Sequence, residues 1–119
     1  MAKILKEKIT FTLDDSVAAN SSDTKLSPII PEGKIVKILV FGGYDPSIND
    51  GIGSIISLQY GNAGNWITLR ACGNGTFEFK WQNGFDVTGD GTKRFRIVRQ
   101  NKSAIAKTII AWFDACVIN

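Results

Sequence analysis

The chain has 119 residues, 44% of them hydrophobic and 21% charged, with 14 Lys and Arg against 11 Asp and Glu for a net charge of +3. That composition fits one globular domain over residues 1–119 and excludes a disordered chain, and the charge is too small to point by itself to nucleic acid. Histidine is absent, which removes Ser-His-Asp and Cys-His catalysis, histidine-ligated zinc and histidine proton shuttles.

The first residues, Met1 to Lys8, are charged where a signal peptide needs an apolar stretch, so synthesis in the cytosol is expected. No apolar run reaches the ~18 residues that span a bilayer, so no membrane partner is expected. Ile9, Phe11 and Leu13 alternate with Lys8, Thr10 and Thr12, the pattern of a half-buried strand. Residues 14–24 are small and polar and are read as a loop; with the Pro-containing 25–32 they make a long connection or an extended arm. Residues 33–44 form a strand that is apolar on both alternations, Ile35, Leu39 and Phe41 against Val36, Ile38 and Val40. Such a strand is covered on both sides. Residues 45–53 are a loop, 54–60 a strand, 61–65 a turn, and 66–72 the returning strand. Asn74-Gly75 and Asn83-Gly84 are tight-turn dipeptides. Between them Phe77, Phe79 and Trp81 share one face at period two and are assigned to the core.

Residues 87–92 turn again, and 93–100 form a basic strand with Phe95 and Ile97 inward and Arg94 and Arg96 outward. The basic run Lys93, Arg94, Arg96, Arg99 and Lys102 is read as a solvated strand face. Nucleic acid is disfavoured, because the aromatic residue interleaved with the charges points inward. A turn at 101–103 leads to a last long strand, 104–118, with Ile105, Ile109, Ala111 and Phe113 on one face and Ile110, Trp112 and Ile118 on the other. The sum is about eight antiparallel strands with turns every ~8–12 residues: an all-β, single antiparallel sandwich, most economically a jelly roll, with an immunoglobulin-like sandwich as the alternative.

No catalytic residue is assigned. Asp45, Asp50, Glu78, Asp86, Asp90 and Asp114 supply carboxylates, but no spacing pairs them for glycoside hydrolysis. Asp86-Val87-Thr88-Gly89-Asp90-Gly91 resembles the start of a calcium loop, but Ile97 stands where the bidentate glutamate belongs, so only a calcium site of another kind stays open as a cofactor. Cys72 and Cys116 are read as reduced thiols. At the sandwich end, Trp66, Phe85, Asp50 and Asp90 are the candidate ligand contacts, in the manner of a carbohydrate-binding module.

The second faces of 33–44 and 104–118 look too apolar for a free monomer, because a two-sheet sandwich buries one face per sheet. Val36, Ile38, Val40, Ile110, Trp112 and Ile118 are therefore the expected interface of a homo-oligomer, for instance a closed ring such as a trimer. From Gly89 onward ("GDGTKRFRIVRQNKSAIAKTIIAWFDACVI") the chain resembles the closing strands of small jelly-roll proteins found on phage particles. That resemblance covers the last quarter of the chain. It implies a virion component, a head-decoration (cementing) protein or a tail-tip or fibre module, that works by protein contacts with a capsid or tail and carries no catalytic residues. Glycan recognition is the alternative function.

Overall fold

Side chains that alternate between core and solvent build almost every strand. The computed structural model describes residues 6–44, 54–73 and 76–118, with backbone alone at 6–8, 72–73, 76–77, 79–85 and 118. Its strands are β1 (Lys6–Leu13), β2 (Ser16–Val17), β3 (Ser21–Leu26), β4 (Ile35–Tyr44), β5 (Ser54–Asn62), β6 (Asn65–Gly73), β7 (Thr76–Thr88), β8 (Arg94–Asn101), β9 (Lys107–Thr108) and β10 (Ile110–Ile118). Among the described residues no helix is long and apolar enough to cross a membrane.

Two four-stranded sheets, β1-β10-β4-β7 and β3-β8-β5-β6, form the sandwich, and the β2-β9 pair sits apart from them. Every pairing is antiparallel. The pairs β1·β10, β3·β8, β4·β7 and β5·β6 nest inside one another along the chain, which is the wrapping of a jelly roll. The expected all-β sandwich is therefore what the chain builds.

The core lies between the sheets and includes Ile38, Phe41, Leu58, Phe95, Ile97 and Phe113, all fully buried. A run of aromatic rings crosses it. Phe11 lies 5.9 Å from Phe113, Phe113 lies 5.4 Å from Phe95, and Phe95 lies 4.7 Å from Tyr60, all between ring centroids.

Three local expectations need correction. The first concerns β4. Asp114 pairs with Val40 and Ala115 with Ile38, so Leu39 is an extra residue, a β-bulge. The bulge switches the parity of the strand. Val36 and Ile38 point inward before it, and Phe41 points inward after it; all three are 0% exposed. Apolar character on both alternations thus reflects one core served in two phases. Val36 and Ile38 are core residues and cannot form an interface.

The second concerns Asn83-Gly84. Ile38 pairs with Phe85 and Val40 with Lys80, so residues 81–84 bulge out of a strand that continues in one direction along β4. No hairpin reverses the chain there.

The third is the loop assigned to residues 14–24. Ser21–Leu26 is a strand paired along its length with β8. It is an edge strand exposed at nearly every position, so it carries no apolar period to be detected.

The same region explains Arg99. On β8, Phe95, Ile97, Arg99 and Asn101 all lie on the buried alternation. Arg99 is 0% exposed. Its Nη2 reaches Asp15 Oδ1 at 2.6 Å and Asp23 Oδ2 at 2.7 Å, its Nε donates to Asp23 Oδ1 at 2.8 Å, and its Nη1 donates to the carbonyls of Asp15 at 3.1 Å and Ile109 at 2.6 Å. Asn101 Nδ2 donates to the carbonyls of Val17, Ala18 and Ile105, and its Oδ1 accepts from the Ser103 amide. Two buried polar side chains thus pin the β2 and β9 segments over the end of the sandwich. Burial acts to lower the Arg99 pKa, but the hydrogen bonds and charges of Asp23 and Asp15 raise it overall. Arg99 therefore leaves the solvated basic run assigned to it.

Candidate binding face

Sheet order brings together side chains that are remote in sequence. On the outer face of the second sheet, Gly61 of β5 is paired with Trp66 of β6 on one side and Arg94 of β8 on the other. In the next row Gln59 lies between Thr68 and Arg96, and Leu26 of β3 extends that row. Arg96 Nε donates to Gln59 Oε1 at 2.6 Å, and Gln59 Nε2 donates to Thr68 Oγ1 at 3.0 Å. The Arg96 guanidinium lies over the Trp66 ring, with Cζ 4.1 Å from the centroid, a cation–π contact. A Cβ at position 61 would collide with the Asn65 carbonyl. Glycine there leaves no side chain standing between the indole of Trp66 and Arg94.

Beside Trp66 is a pocket of about 360 Å³, lined by Tyr60, Gly64, Asn65, Trp66, Ile67 and Lys93. Two connections hold its walls. The β5–β6 turn passes through Gly64 at φ 79°, and Asn62 Nδ2 donates to Thr92 Oγ1 at 3.3 Å, tying that turn to the 89–93 loop. The loop is in turn strapped to the Pro28–Lys34 crossing: Ile30 N donates to Lys93 O at 2.9 Å and Gly91 N to Ile30 O at 3.1 Å. Tyr60 OH is covered and makes no hydrogen bond among the described residues. Burial, and then the negative charge of Asp90, push its pKa up. Ile67, 66% exposed, gives the rim an apolar edge.

Asp90 organises the loop itself. Its Oδ1 accepts from the Thr92 amide at 2.9 Å, the Thr92 hydroxyl at 2.8 Å and the Lys93 amide at 3.1 Å. The Thr92 backbone and hydroxyl are the main reasons its pKa falls to about 2. Lys93 Nζ stands 3.5 Å from Oδ2. Oδ1 is thus committed to its own turn, which gives Asp90 a structural role, while the side chain stays about half exposed at 47%. Asp86, the other acid of the calcium-like stretch, pairs with Lys37 at 2.8 Å on the opposite sheet. Among the described residues no group of three or more His, Cys, Asp or Glu side chains is placed to hold a metal ion.

Of the other expected contacts, Asp50 lies outside the described residues. Phe85 belongs to β7 of the first sheet, paired with Ile38, and its side chain lies outside the described residues. Its strand and β6, the strand of Trp66, belong to different sheets.

The outer face of the first sheet holds what is left of the expected interface. Val40, Ile110 and Trp112 are half-buried there, and the Ile118 side chain lies outside the described residues. Trp112 already has partners. Its ring lies against Gly42, where a Cβ would overlap the indole, and its Nε1 donates to Glu78 Oε2 at 2.9 Å. Thr10 Oγ1 donates to Asp114 Oδ1 at 3.2 Å alongside. Cys116, a free thiol, is half-buried on the same alternation.

Tyr60, Gln59 and Lys93 were not expected at the site. The alternation of β8 by itself puts Arg96 on the outer face, but its partnership with Trp66 depends on β5 lying between β6 and β8, which no local pattern encodes.

Fold and site together define a jelly-roll β-sandwich with one aromatic and guanidinium-bearing outer face. No family model matches the chain, and no curated protein matches it in sequence. Among solved structures it is similar to one titled "Crystal structure of PirA", with 18% identity, a TM-score of 0.43, and coverage of 87% of this chain and 92% of that one. A likeness at that level carries no statement about binding or activity.

Proposed function

We propose that the protein is a non-enzymatic recognition module that binds carbohydrate on the outer face of its second sheet, around Trp66. The observation that carries this reading is the row Trp66, Gly61 and Arg94, with Arg96 against the indole and the Tyr60–Lys93 pocket adjoining it. Sugar rings present a flat apolar face rimmed by hydroxyls, which suits an indole beside fixed polar donors. Trp66 supplies the ring, and Arg96, Gln59 and Asn65 supply hydrogen-bonding groups.

In a binding assay over a panel of neutral and acidic oligosaccharides, Trp66→Ala is expected to lose at least about tenfold in affinity. Its melting temperature is expected to stay within a few degrees of the parent, since Trp66 is half-buried and outside the core. A variant that binds as well as the parent counts against the reading.

A second reading is the virion component, decorating a capsid or tail as a homo-oligomer. The half-buried apolar positions Ile35, Val40 and Ile110 on the first sheet favour it. Val36 and Ile38, however, serve the core, and Trp112 is engaged by Gly42 and Glu78. Light scattering at dilute concentration separates the two readings. The recognition module is expected to be monomeric, and a stable trimer would favour the second.

A further inference from the structure

Charge is distributed unevenly over the two outer faces. On the first sheet acids and bases are mixed: Lys37 pairs with Asp86, and the sheet also carries Glu78, bonded to Trp112, and Asp114, bonded to Thr10. On the second sheet, none of the outward positions described on β3, β8, β5 and β6 is Asp or Glu, whereas two of them are Arg94 and Arg96. These two project from the same side of β8, about 6.7 Å apart along the strand. Arg96 is oriented rather than floppy, because Gln59 holds its Nε and its Cζ lies 4.1 Å from the centroid of the Trp66 ring. Its two terminal amino groups make no hydrogen bond among the described residues, and neither Arg94 nor Arg96 has an ion-pair partner there. The nearest acid at that corner, Asp90, is already used by Thr92 and Lys93.

A planar guanidinium with a fixed Nε and a free terminal edge matches a two-oxygen anion. Next to an indole, that anion belongs on a ring. We infer that the ligand is an acidic sugar, one bearing a carboxylate or a sulfate ester, with its anionic group on Arg96 and Arg94 and its ring beside Trp66. This rests on the carbohydrate reading above and narrows it. A single-stranded nucleic acid would also offer anions and rings, but it needs a longer track of cations. The two arginines and Lys93, itself held by Asp90, suit one or two sugar units.

The test is calorimetric titration of the protein with three probes: oligogalacturonate for the carboxylate, sulfated dextran oligomers for the sulfate, and neutral dextran oligomers. An oligo-dT strand serves as the competing class. At least one acidic probe is expected to bind more than about tenfold tighter than neutral dextran, and its affinity should fall as salt shortens the Debye length from about 10 Å to about 3 Å. Arg96→Gln is expected to weaken it by about tenfold to a hundredfold. Arg96→Lys, which keeps the charge but not the fork, should recover only part of the loss. A circular dichroism melt verifies that each variant is folded.

Equal binding of neutral and acidic probes, with Trp66→Ala defective and Arg96→Gln intact, overturns the acidic inference and leaves the carbohydrate reading standing. Failure of every sugar probe overturns both. Tighter binding of oligo-dT than of either acidic sugar overturns the inference in favour of nucleic acid.

Discussion

Arg99→Met is expected to destabilise the protein by about 2–4 kcal/mol, a drop of roughly 8–15 °C in melting temperature. Methionine keeps a flexible apolar stem in the same space but removes every donor. The Ile109 carbonyl then loses its 2.6 Å partner in a buried position, and Asp15 and Asp23 lose the cation that ties β2 and β3 to the sandwich. The figure is set below the cost of breaking a fully buried pair, because the side chains of Asp15 and Asp23 are 74% and 40% exposed and can rehydrate.

The same substitution carries a signature in pH. The hydrogen bond and charge of Arg99 hold the Asp15 carboxyl below its ordinary value of 3.8. A depressed carboxyl adds stability that is full above the ordinary value and is lost as pH falls through the folded value. The gap between parent and Arg99→Met should therefore narrow as thermal melts are moved into the acid range. A constant gap would mean that Arg99 acts through packing and its hydrogen bonds to the Asp15 and Ile109 carbonyls, with no contribution from the carboxylates.

Phe95→Ala is expected to cost about 3–5 kcal/mol. The ring is fully buried and lies between Phe113 and Tyr60 at 5.4 and 4.7 Å, so its removal leaves a cavity at the centre of the aromatic run. The position matters for the proposed site too, because Phe95 is the residue between Arg94 and Arg96. Its inward ring fixes the phase that turns both guanidinium groups outward. Urea unfolding should give a lower midpoint with an unchanged slope if the effect is on stability alone. A loss under about 1 kcal/mol would show that the two sheets close over the gap.

How much of this could be read from residues alone differs by element. The last strand was legible only from Ile109 on, where Ile109, Ala111 and Phe113 alternate with Ile110 and Trp112 and burial follows that order. Its expected start is corrected, since residues 104–106 belong to no strand and Ile105, expected inward, is 59% exposed. The phase of β8 was legible at Phe95 and Ile97. At Arg99 the parity was visible, but a guanidinium on an inward position needs counterions, and Asp15 and Asp23 reach it only through the roll of the chain. The role of Val36 and Ile38 was hidden by the bulge at Leu39, which a period of two cannot register. β3 was hidden by its exposure. The site was half legible: the ring of Trp66 and the outward guanidinium of Arg96 each stood out. Their meeting depends on long-range pairing, since β8 returns beside β5 only after β6 and β7 have been laid down.

The most direct test of the account is an amide and indole NMR titration with oligogalacturonate and with neutral dextran oligomers. The Trp66 indole resonance, with the amides of β5 and β8 that flank it, is expected to move with added sugar while the Trp112 indole stays in place. Movement at Trp112 with Trp66 unchanged, or no movement at either, would contradict a recognition face on the second sheet.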